Sequence, residues 1–482
     1  MHDDFEACYR ALSSRDARFD GRFFTAVTST GIYCRPVCPA QTPRRANVRF
    51  YGSAAAAEAA GFRACRRCRP QLAPGEAAAA SNDSLAQRAL RLLAAGEGDG
   101  GAGVAAVARR LEVSERRLHR ILRATVGAGA LTLARMRRLQ AARILLEQTA
   151  LSVTDVAFTS GYTSLRQFNS EVRSGLGCTP SDVRRRAPTR LDGDGAIVLR
   201  LGVRPPFDGP ALLRFFALRA VAGVESVGRW SLTRSVRLAR GAAIVEVEPH
   251  DSRVVVRLWL DDVRDLGQAV DACRRLVDVD ADPAAIADVL GADPVLAPLV
   301  AAAPGLRVPG ALGADEVAMR AVLGQQVSVG RATTLAARLT DLLGVPLARP
   351  RPGVDRLFPT AAAVAEADLG LLGLTGERAA TLHRLAAALA SGDVDLGPGA
   401  DREGTRRQLL DIRGIGAWTA GYIAMRGLRD PDVLLAGDAA VRRALGRDDL
   451  TTRAERWRPW RSYATVHLWN SLSATTSTET RP

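Results

Sequence analysis

Between residues 197 and 260 apolar and polar positions alternate. The stretches IVLRLGV from Ile197, WSLTRSVRLA from Trp230, AAIVEVEP from Ala242 and RVVVRLWL from Arg253 each carry apolar side chains with period two. That period sends successive side chains to opposite faces of an extended chain, so it predicts half-buried strands of an antiparallel sheet covered by helices. One apolar helix, Leu212–Val221, is expected after the first strand. Elsewhere the spacing is helical. From about Ser84 to Arg186 there are two similar units, one from Val104 to Arg120 and one from Val153 to Phe168, each with a turn in its middle. From Leu266 onward the pattern is almost wholly helical, with a turn over Pro304–Gly310 before a helix Glu316–Val327.

The stretch Leu409 to Leu445 has the most unusual punctuation. A helix breaks at Gly414-Ile415-Gly416 and resumes from about Ala417 to Arg426. Two glycines at that offset permit a tight helix-hairpin-helix and leave amides uncovered at a helix start, a ready phosphate site. The apolar run Val433-Leu434-Leu435 follows, then one carboxylate, Asp438, then the amphipathic Ala440–Leu445.

Breaks in composition at 74–80 (Pro74-Gly75-Glu76, then alanines) and around Ala187–Gly195 read as linkers. The expected organisation is a multidomain, mainly α chain with α+β parts. A small zinc domain spans 1–76 and a tandem helix-turn-helix domain 82–187. An α+β subdomain with an antiparallel sheet spans 195–300, and an all-α hairpin domain 301–473. A disordered tail over the last ten residues is expected. At 482 residues this accords with a prior of about 150 residues per domain.

The net charge of +15 points to a polyanionic partner. All 66 basic residues are arginine, so no lysine can form a Schiff base. No apolar run approaches the ~20 residues of a membrane span, and no signal-peptide pattern opens the chain. A cytoplasmic, nucleoid-associated protein is expected.

Five of the seven cysteines lie in the first 75 residues, four of them as Cys34-x3-Cys38 and Cys65-x2-Cys68. That is paired-ligand spacing for tetrahedral Zn2+, and a purely structural zinc clip would account for it. Disulfides are disfavoured in a cytosolic chain. Cys8, Cys178 and His119 read as packing residues. The text around the cysteines, FTAVTSTGIYCRPVC, NVRFY and GFRACRRCRP, resembles the N-terminal domain of the Ada DNA-repair regulators. The resemblance implies that Cys34 accepts a methyl group from a methyl phosphotriester, as a zinc-held thiolate can. Arg35, Arg44, Arg45, Arg63, Arg66 and Arg67 would clamp flanking phosphates. Gln41 departs from the pattern, standing where a basic residue is expected. No Pro-Cys-His-Arg motif occurs, so repair of alkylated guanine oxygen is not expected.

The two helical units, with Gly177-Cys178-Thr179-Pro180 closing them, resemble the AraC-type DNA-binding domain. Ser164, Arg166 and Gln167 would open a recognition helix. The resemblance implies promoter DNA and RNA polymerase as partners.

The span from about 197 to 472 resembles the AlkA-type 3-methyladenine DNA glycosylases of the helix-hairpin-helix superfamily. The residues that carry it are Gly324-Gln325-Gln326-Val327-Ser328, the hairpin with Gly414 and Gly416, Asp438, and the segment Ala454–Ala464. The resemblance implies excision of alkylated purines, 3-methyladenine and 7-methylguanine, from double-stranded DNA. Asp438 would stabilise an oxocarbenium-like sugar or activate water, although it is also placed to cap a helix from Ala439. Gln326 would wedge into the gap left by a flipped nucleotide. Trp418, Tyr422 and Trp469 would wall the base pocket, where a cationic base is attracted to aromatic faces; core packing is the plain alternative for each. Trp418 takes the position of the Schiff-base lysine of bifunctional members, which implies a monofunctional enzyme; a monomer is expected. The carbonyls of Leu410, Ile412 and Ile415 are offered to a monovalent cation. Cys273 is alone in this half, which excludes a cysteine-held iron–sulfur cluster.

Two rival readings stand beside this one. A transcription factor sensing alkylation damage with a catalytically silent C-terminal half is disfavoured by the intact Asp438. A zinc-stabilised DNA binder without methyl transfer is disfavoured by Arg35-Pro36 beside Cys34.

Overall fold

The first β-strand, β1 (Phe24–Val27), pairs antiparallel with β2 (Ile32–Cys34) and with β3 (Val48–Tyr51), and β2 pairs parallel with β4 (Arg63–Ala64). In this computed structural model residues 2–70, 73, 84–96, 103–186, 194–445 and 450–478 are described. The expected linker at 74–80 and most of that at 187–195 lie outside them. The chain divides into two units. The first is built on Met1–Glu76, Ser84–Arg204 and Val255–Asp271, the second on Pro205–Val254 and Ala272–Pro482.

In the first unit, Phe24, Ala26, Tyr33, Ala57 and Ala64 form the core of the small sheet. The helices Leu85–Ala95, Gly103–Arg110 and Glu115–Val126 enclose Leu92, Val107, Leu118 and Leu122. The long helix Ala130–Gln148 leads to the second helical pair, Val153–Thr159 and Leu165–Leu176. Serines cap four of these starts: the side chains of Ser84, Ser114, Ser152 and Ser164 each accept a backbone amide two or three residues on. The helices Glu115–Val126 and Leu165–Leu176 each stop at a left-handed glycine, Gly127 at φ 74° and Gly177 at φ 65°. Strands β5 (Ile197–Gly202) and β9 (Arg253–Leu260) are hydrogen-bonded neighbours.

The zinc-type sheet is fastened to the helices. Arg66 donates from Nε to the carbonyl of Leu176 and from Nη2 to that of Gly177, both at 2.8 Å. Arg69 pairs with Glu147 at 3.0 Å, and Arg143 donates to the Arg66 carbonyl at 3.2 Å.

In the second unit β6 (Glu225–Val227), β7 (Leu232–Arg237) and β8 (Ala242–His250) are consecutive antiparallel neighbours, in register Val227↔Leu232 and Leu232↔Val247. The helix expected at Leu212–Val221 lies at Gly209–Ala217, because Asp208 caps it and Pro210 fits its first turn. The helix expected at Glu316–Val327 is Ala314–Leu323; Gly324 ends it and Ser328 starts the next, Val329–Leu343. A two-stranded ribbon, β10 (Val345–Arg351) with β11 (Val354–Leu357), interrupts what the pattern gave as wholly helical. The last helix, Arg461–Thr478, continues through six of the ten residues expected to be disordered. No glycine or proline follows Trp469 before Pro482 to stop it.

A buried ion network joins this sheet to the helix Ala314–Leu323. Arg234 reaches Glu225 and Glu316, each at 2.7 Å, and Arg320 reaches Glu316 at 2.7 Å and Glu225 at 3.1 Å. Each charge thus meets two of opposite sign, which offsets the cost of taking them out of water. Among the described residues no helix is long and apolar enough to cross a membrane.

Candidate active site and metal centre

The hairpin forms as its glycines require. The helix Arg402–Asp411 ends, and the helix Ala417–Arg426 starts at Gly416 with no side chain capping its amides. Gly414 has φ +99°, and a Cβ there would lie 2.0 Å from Thr381 Oγ1. Only glycine fits that position. Its neighbours' carbonyls are used within the fold: Arg384 donates to the Arg413 carbonyl at 2.9 Å, and Gln325 donates through Nε2 to the Gly414 carbonyl at 2.9 Å. Of the three carbonyls named for a monovalent cation, that of Ile412 accepts the Ile415 amide at 2.9 Å.

Asp438 caps a helix and also accepts two indole N–H groups. Its Oδ1 accepts the amides of Ala440 at 2.9 Å and Val441 at 3.1 Å, the capping arrangement for the helix Ala439–Leu445. The indole of Trp469 also donates to Oδ1, at 3.1 Å, while that of Trp418 donates to Oδ2 at 2.9 Å. Three donors fill Oδ1. A carboxylate oxygen takes about two, so the spare acceptor capacity lies on Oδ2. Asp438 as a whole is 9% exposed. Four donors hold the carboxylate, three on Oδ1 and one on Oδ2.

The three aromatics named from the sequence do converge. Trp418 stacks on Tyr422 with centroids 5.2 Å apart and planes 14° from parallel, and Tyr422 lies 6.4 Å from Trp469. Trp418 and Trp469 were expected as pocket walls or core packing; in the fold their N–H groups orient Asp438. The sequence reading missed a fourth ring, Phe215, stacked on Trp469 at 6.4 Å and 19°. It also missed the guanidiniums behind the rings. Arg219 lies 3.9 Å and Arg426 4.9 Å from the Phe215 centroid, and Arg426 donates to the Tyr422 hydroxyl at 2.7 Å. Burial alone would push the Tyr422 phenol up. Arg426, Arg219 and Arg320 more than reverse this and hold it below the usual tyrosine value. Nothing in the local text of Phe215-Phe216 separated it from a core pair.

The turn after Gly324 is pinned from one side. Besides Gly414, Gln325 donates to Thr419 Oγ1 at 3.0 Å. Gln326 is exposed, at φ +55°, a left-handed conformation that side-chain-bearing residues adopt rarely.

Strand register assembles the cysteines. The parallel pairs Ile32↔Arg63 and Tyr33↔Ala64 bring Cys34 and Cys65, the next residue of each strand, side by side, and tight turns return Cys38 and Cys68. All four sulfurs lie within 4.8 Å of one another, with Cys38 and Cys65 at 3.9 Å. Four thiolates at Zn–S distances of about 2.3 Å would stand ~3.8 Å apart, so the residues fit Zn2+. Cys34 is the half-buried member and the other three are buried. Cys8 packs in the core, where burial pushes its thiol up to about 11.

The expected phosphate clamp is smaller than its arginine count. Arg35 is half-buried, donating to Asp20 through Nε at 2.8 Å and through Nη2, and Arg66 is committed to Leu176 and Gly177. Acidic and carbonyl partners nearby captured these two. Arg45 is exposed, paired with Glu6 and lying 4.8 Å from the Tyr9 ring centroid. Arg44 and Arg67 are exposed. In the second helical pair the Ser164 hydroxyl accepts the amides of Arg166 and Gln167, whose exposed side chains face outward from the helix start; Gln167 also donates to Glu171 at 3.1 Å.

Four family models match the chain in succession. They are the metal binding domain of Ada over residues 7–71, a helix-turn-helix domain over 107–186, the AlkA N-terminal domain over 198–313, and the HhH-GPD superfamily of base excision DNA repair proteins over 319–459. A protein of Mycobacterium tuberculosis named "Probable bifunctional transcriptional activator/DNA repair enzyme AlkA" is 47% identical over 98% of this chain and 97% of its own length. DNA-3-methyladenine glycosylase 2 of Escherichia coli is 36% identical over 56% of this chain and 95% of its own. The bifunctional transcriptional activator/DNA repair enzyme Ada of Escherichia coli is 33% identical over 36% of this chain and 48% of its own. The chain belongs to the family of AlkA proteins in which an Ada-type zinc-binding domain and a helix-turn-helix domain precede a base-excision glycosylase.

Proposed function

We propose that the second unit hydrolyses the N-glycosidic bond of alkylated purines, 3-methyladenine and 7-methylguanine among them, in double-stranded DNA. The observation that carries this reading is Asp438, fixed by two indoles and two amides, with one donor on Oδ2 against three on Oδ1. As the C1′–N bond breaks, positive charge develops on the sugar, and a preorganised carboxylate stabilises it without reorganising. Water then adds to C1′ and the base departs with the bonding electrons, which an alkylated, already cationic base accepts readily. The uncovered amides after Gly416 suit a backbone phosphate. The absence of lysine supports a monofunctional reaction.

The first unit takes a methyl group onto Cys34 in this reading. The cysteine sulfur attacks the methyl carbon of a methyl phosphotriester, the C–S bond forms as the C–O bond breaks, and a phosphodiester leaves. Bound zinc would hold that sulfur as thiolate. The helical pairs, through Ser164, Arg166 and Gln167 among others, engage promoter DNA, and activation would bring in RNA polymerase. The protein acts as a cytoplasmic monomer, with domains at 1–76, 82–187, 195–300 and 301–473, and a monovalent cation is proposed at the hairpin. Incubation with methylated DNA tests both reactions together, by released bases and protein-bound methyl groups; release of neither would overturn the reading.

A further inference from the structure

The helices Glu115–Val126 and Leu165–Leu176 hold equivalent places in the two helical pairs, and both are 12 residues long. The zinc-binding domain grips the far end of each. Ser53 donates through Oγ to the Val126 carbonyl at 2.6 Å. A Cβ on Gly127 would lie 2.7 Å from that of Ala56, so glycine is what lets these two segments touch. At the other end Arg66 donates to the carbonyls of Leu176 and Gly177. A guanidinium suits that place, because the last carbonyls of a helix lack amide partners and carry partial negative charge.

The two grips stand on separate footings. Ser53 caps the helix Ala54–Ala59, which packs on the long helix Ala130–Gln148 and places Ala57 in the core of the small sheet. Arg66 lies between Cys65 and Cys68, and its own carbonyl accepts from Arg143 of the long helix. The long helix, ~28 Å from end to end at 1.5 Å per residue, joins the two pairs in the chain. The second pair meets it closely at Gly175, where a Cβ would lie 2.2 Å from Leu139. A single tie of this kind lets one pair swing against the other. The small domain adds a second tie, which closes a ring and fixes direction as well as distance.

We propose that the zinc-binding domain sets the separation and rotation of the two helical pairs, with Arg66 and Ser53 as the positioning residues, and so selects DNA by the spacing of two half-sites. This rests on the reading of the helical pairs as DNA-engaging. Helices of such pairs enter successive major grooves, and each base pair added between half-sites moves the second groove by about 3.4 Å and turns it by ~35°. A closed ring cannot follow that shift. A pair released at Leu176 and Gly177 can.

The full-length, zinc-loaded protein is used to select duplexes from a random library. The wild type is expected to enrich two sequence blocks at one spacing. It should bind duplexes with one base pair inserted between the blocks roughly tenfold more weakly. Arg66→Met, its zinc content confirmed, should enrich the same blocks at several spacings and narrow that penalty to about twofold. Ser53→Ala should relax the spacing from the other end, and Arg66→Lys, which keeps a cation and N–H donors, should restore most of the penalty. Loss of a phosphate contact alone would weaken every spacing alike. A single block in the wild type, or a penalty unchanged in both Arg66→Met and Ser53→Ala, would overturn the proposal. Enrichment of no sequence at all by the wild type would instead defeat the DNA-engaging reading, and the proposal with it.

Discussion

Trp418, in the helix Ala417–Arg426, and Asp438, which caps the helix Ala439–Leu445, are joined by one hydrogen bond, Nε1 to Oδ2, at 2.9 Å. The oxygen that carries the spare acceptor capacity is thus aimed by an aromatic ring that also stacks on Tyr422.

Trp418→Phe keeps most of the ring and removes the N–H. A hydrogen bond to a charged group contributes about 1.5–3 kcal/mol, so the single-turnover rate of 3-methyladenine release should fall roughly ten- to a hundredfold. Trp469→Phe should cost less, because Oδ1 keeps two amide donors. Equal, negligible effects would show that the indoles only pack.

Asp438→Asn retains a capping oxygen and removes the charge. Base release should drop at least a thousandfold, as expected when a principal electrostatic group of a transition state is lost, while melting shifts little. Methyl transfer to Cys34 should be unchanged in this variant, and Cys34→Ala should show the converse pattern. Assaying both products on both variants checks the assignment.

His467, buried in the last helix, has its imidazole pushed down by burial to about 4 from an ordinary 6.5. Between those values the unfolded chain binds a proton that the folded chain does not. Stability is therefore full above pH 6.5 and falls as pH drops toward 4, by up to about 1.4 kcal/mol per pH unit from this group. Urea midpoints followed by tryptophan fluorescence at pH 7 and pH 5 should differ, and His467→Gln should reduce the difference.

Cys65→Ser should empty the metal site and loosen the small sheet, since four thiolates fold such a domain around zinc. Metal analysis together with amide exchange over residues 2–70 reads this directly. Full zinc content in the variant would remove Cys65 from the ligand set.

The parts legible in the sequence are those written in short-range spacing. The cysteine pairs, the glycine hairpin and the period-two strands each need only neighbours within about thirty residues to declare themselves. Asp438 could be picked out because one carboxylate stands between two apolar stretches. Phe215, Arg219 and Arg426 could not, because the helix Gly209–Ala217 meets the hairpin helix only after some two hundred residues of intervening chain have folded. The fates of Arg35 and Arg66 were hidden for the same reason. An arginine run announces charge, and only the fold reveals that Asp20 and two helix-end carbonyls consume part of it.

Arg66 and Arg69, which sit within and just after the second cysteine pair, anchor to the end of the helix Leu165–Leu176 and to Glu147 of the long helix. A segment that looks portable in sequence is therefore not interchangeable. Grafting residues 1–76 onto a foreign helix-turn-helix would leave two guanidiniums facing whatever carbonyls and acids the new host lacks. Shuffling of such modules succeeds only where the recipient already offers an equivalent seam, and the zinc turn and its seat are best exchanged as one piece.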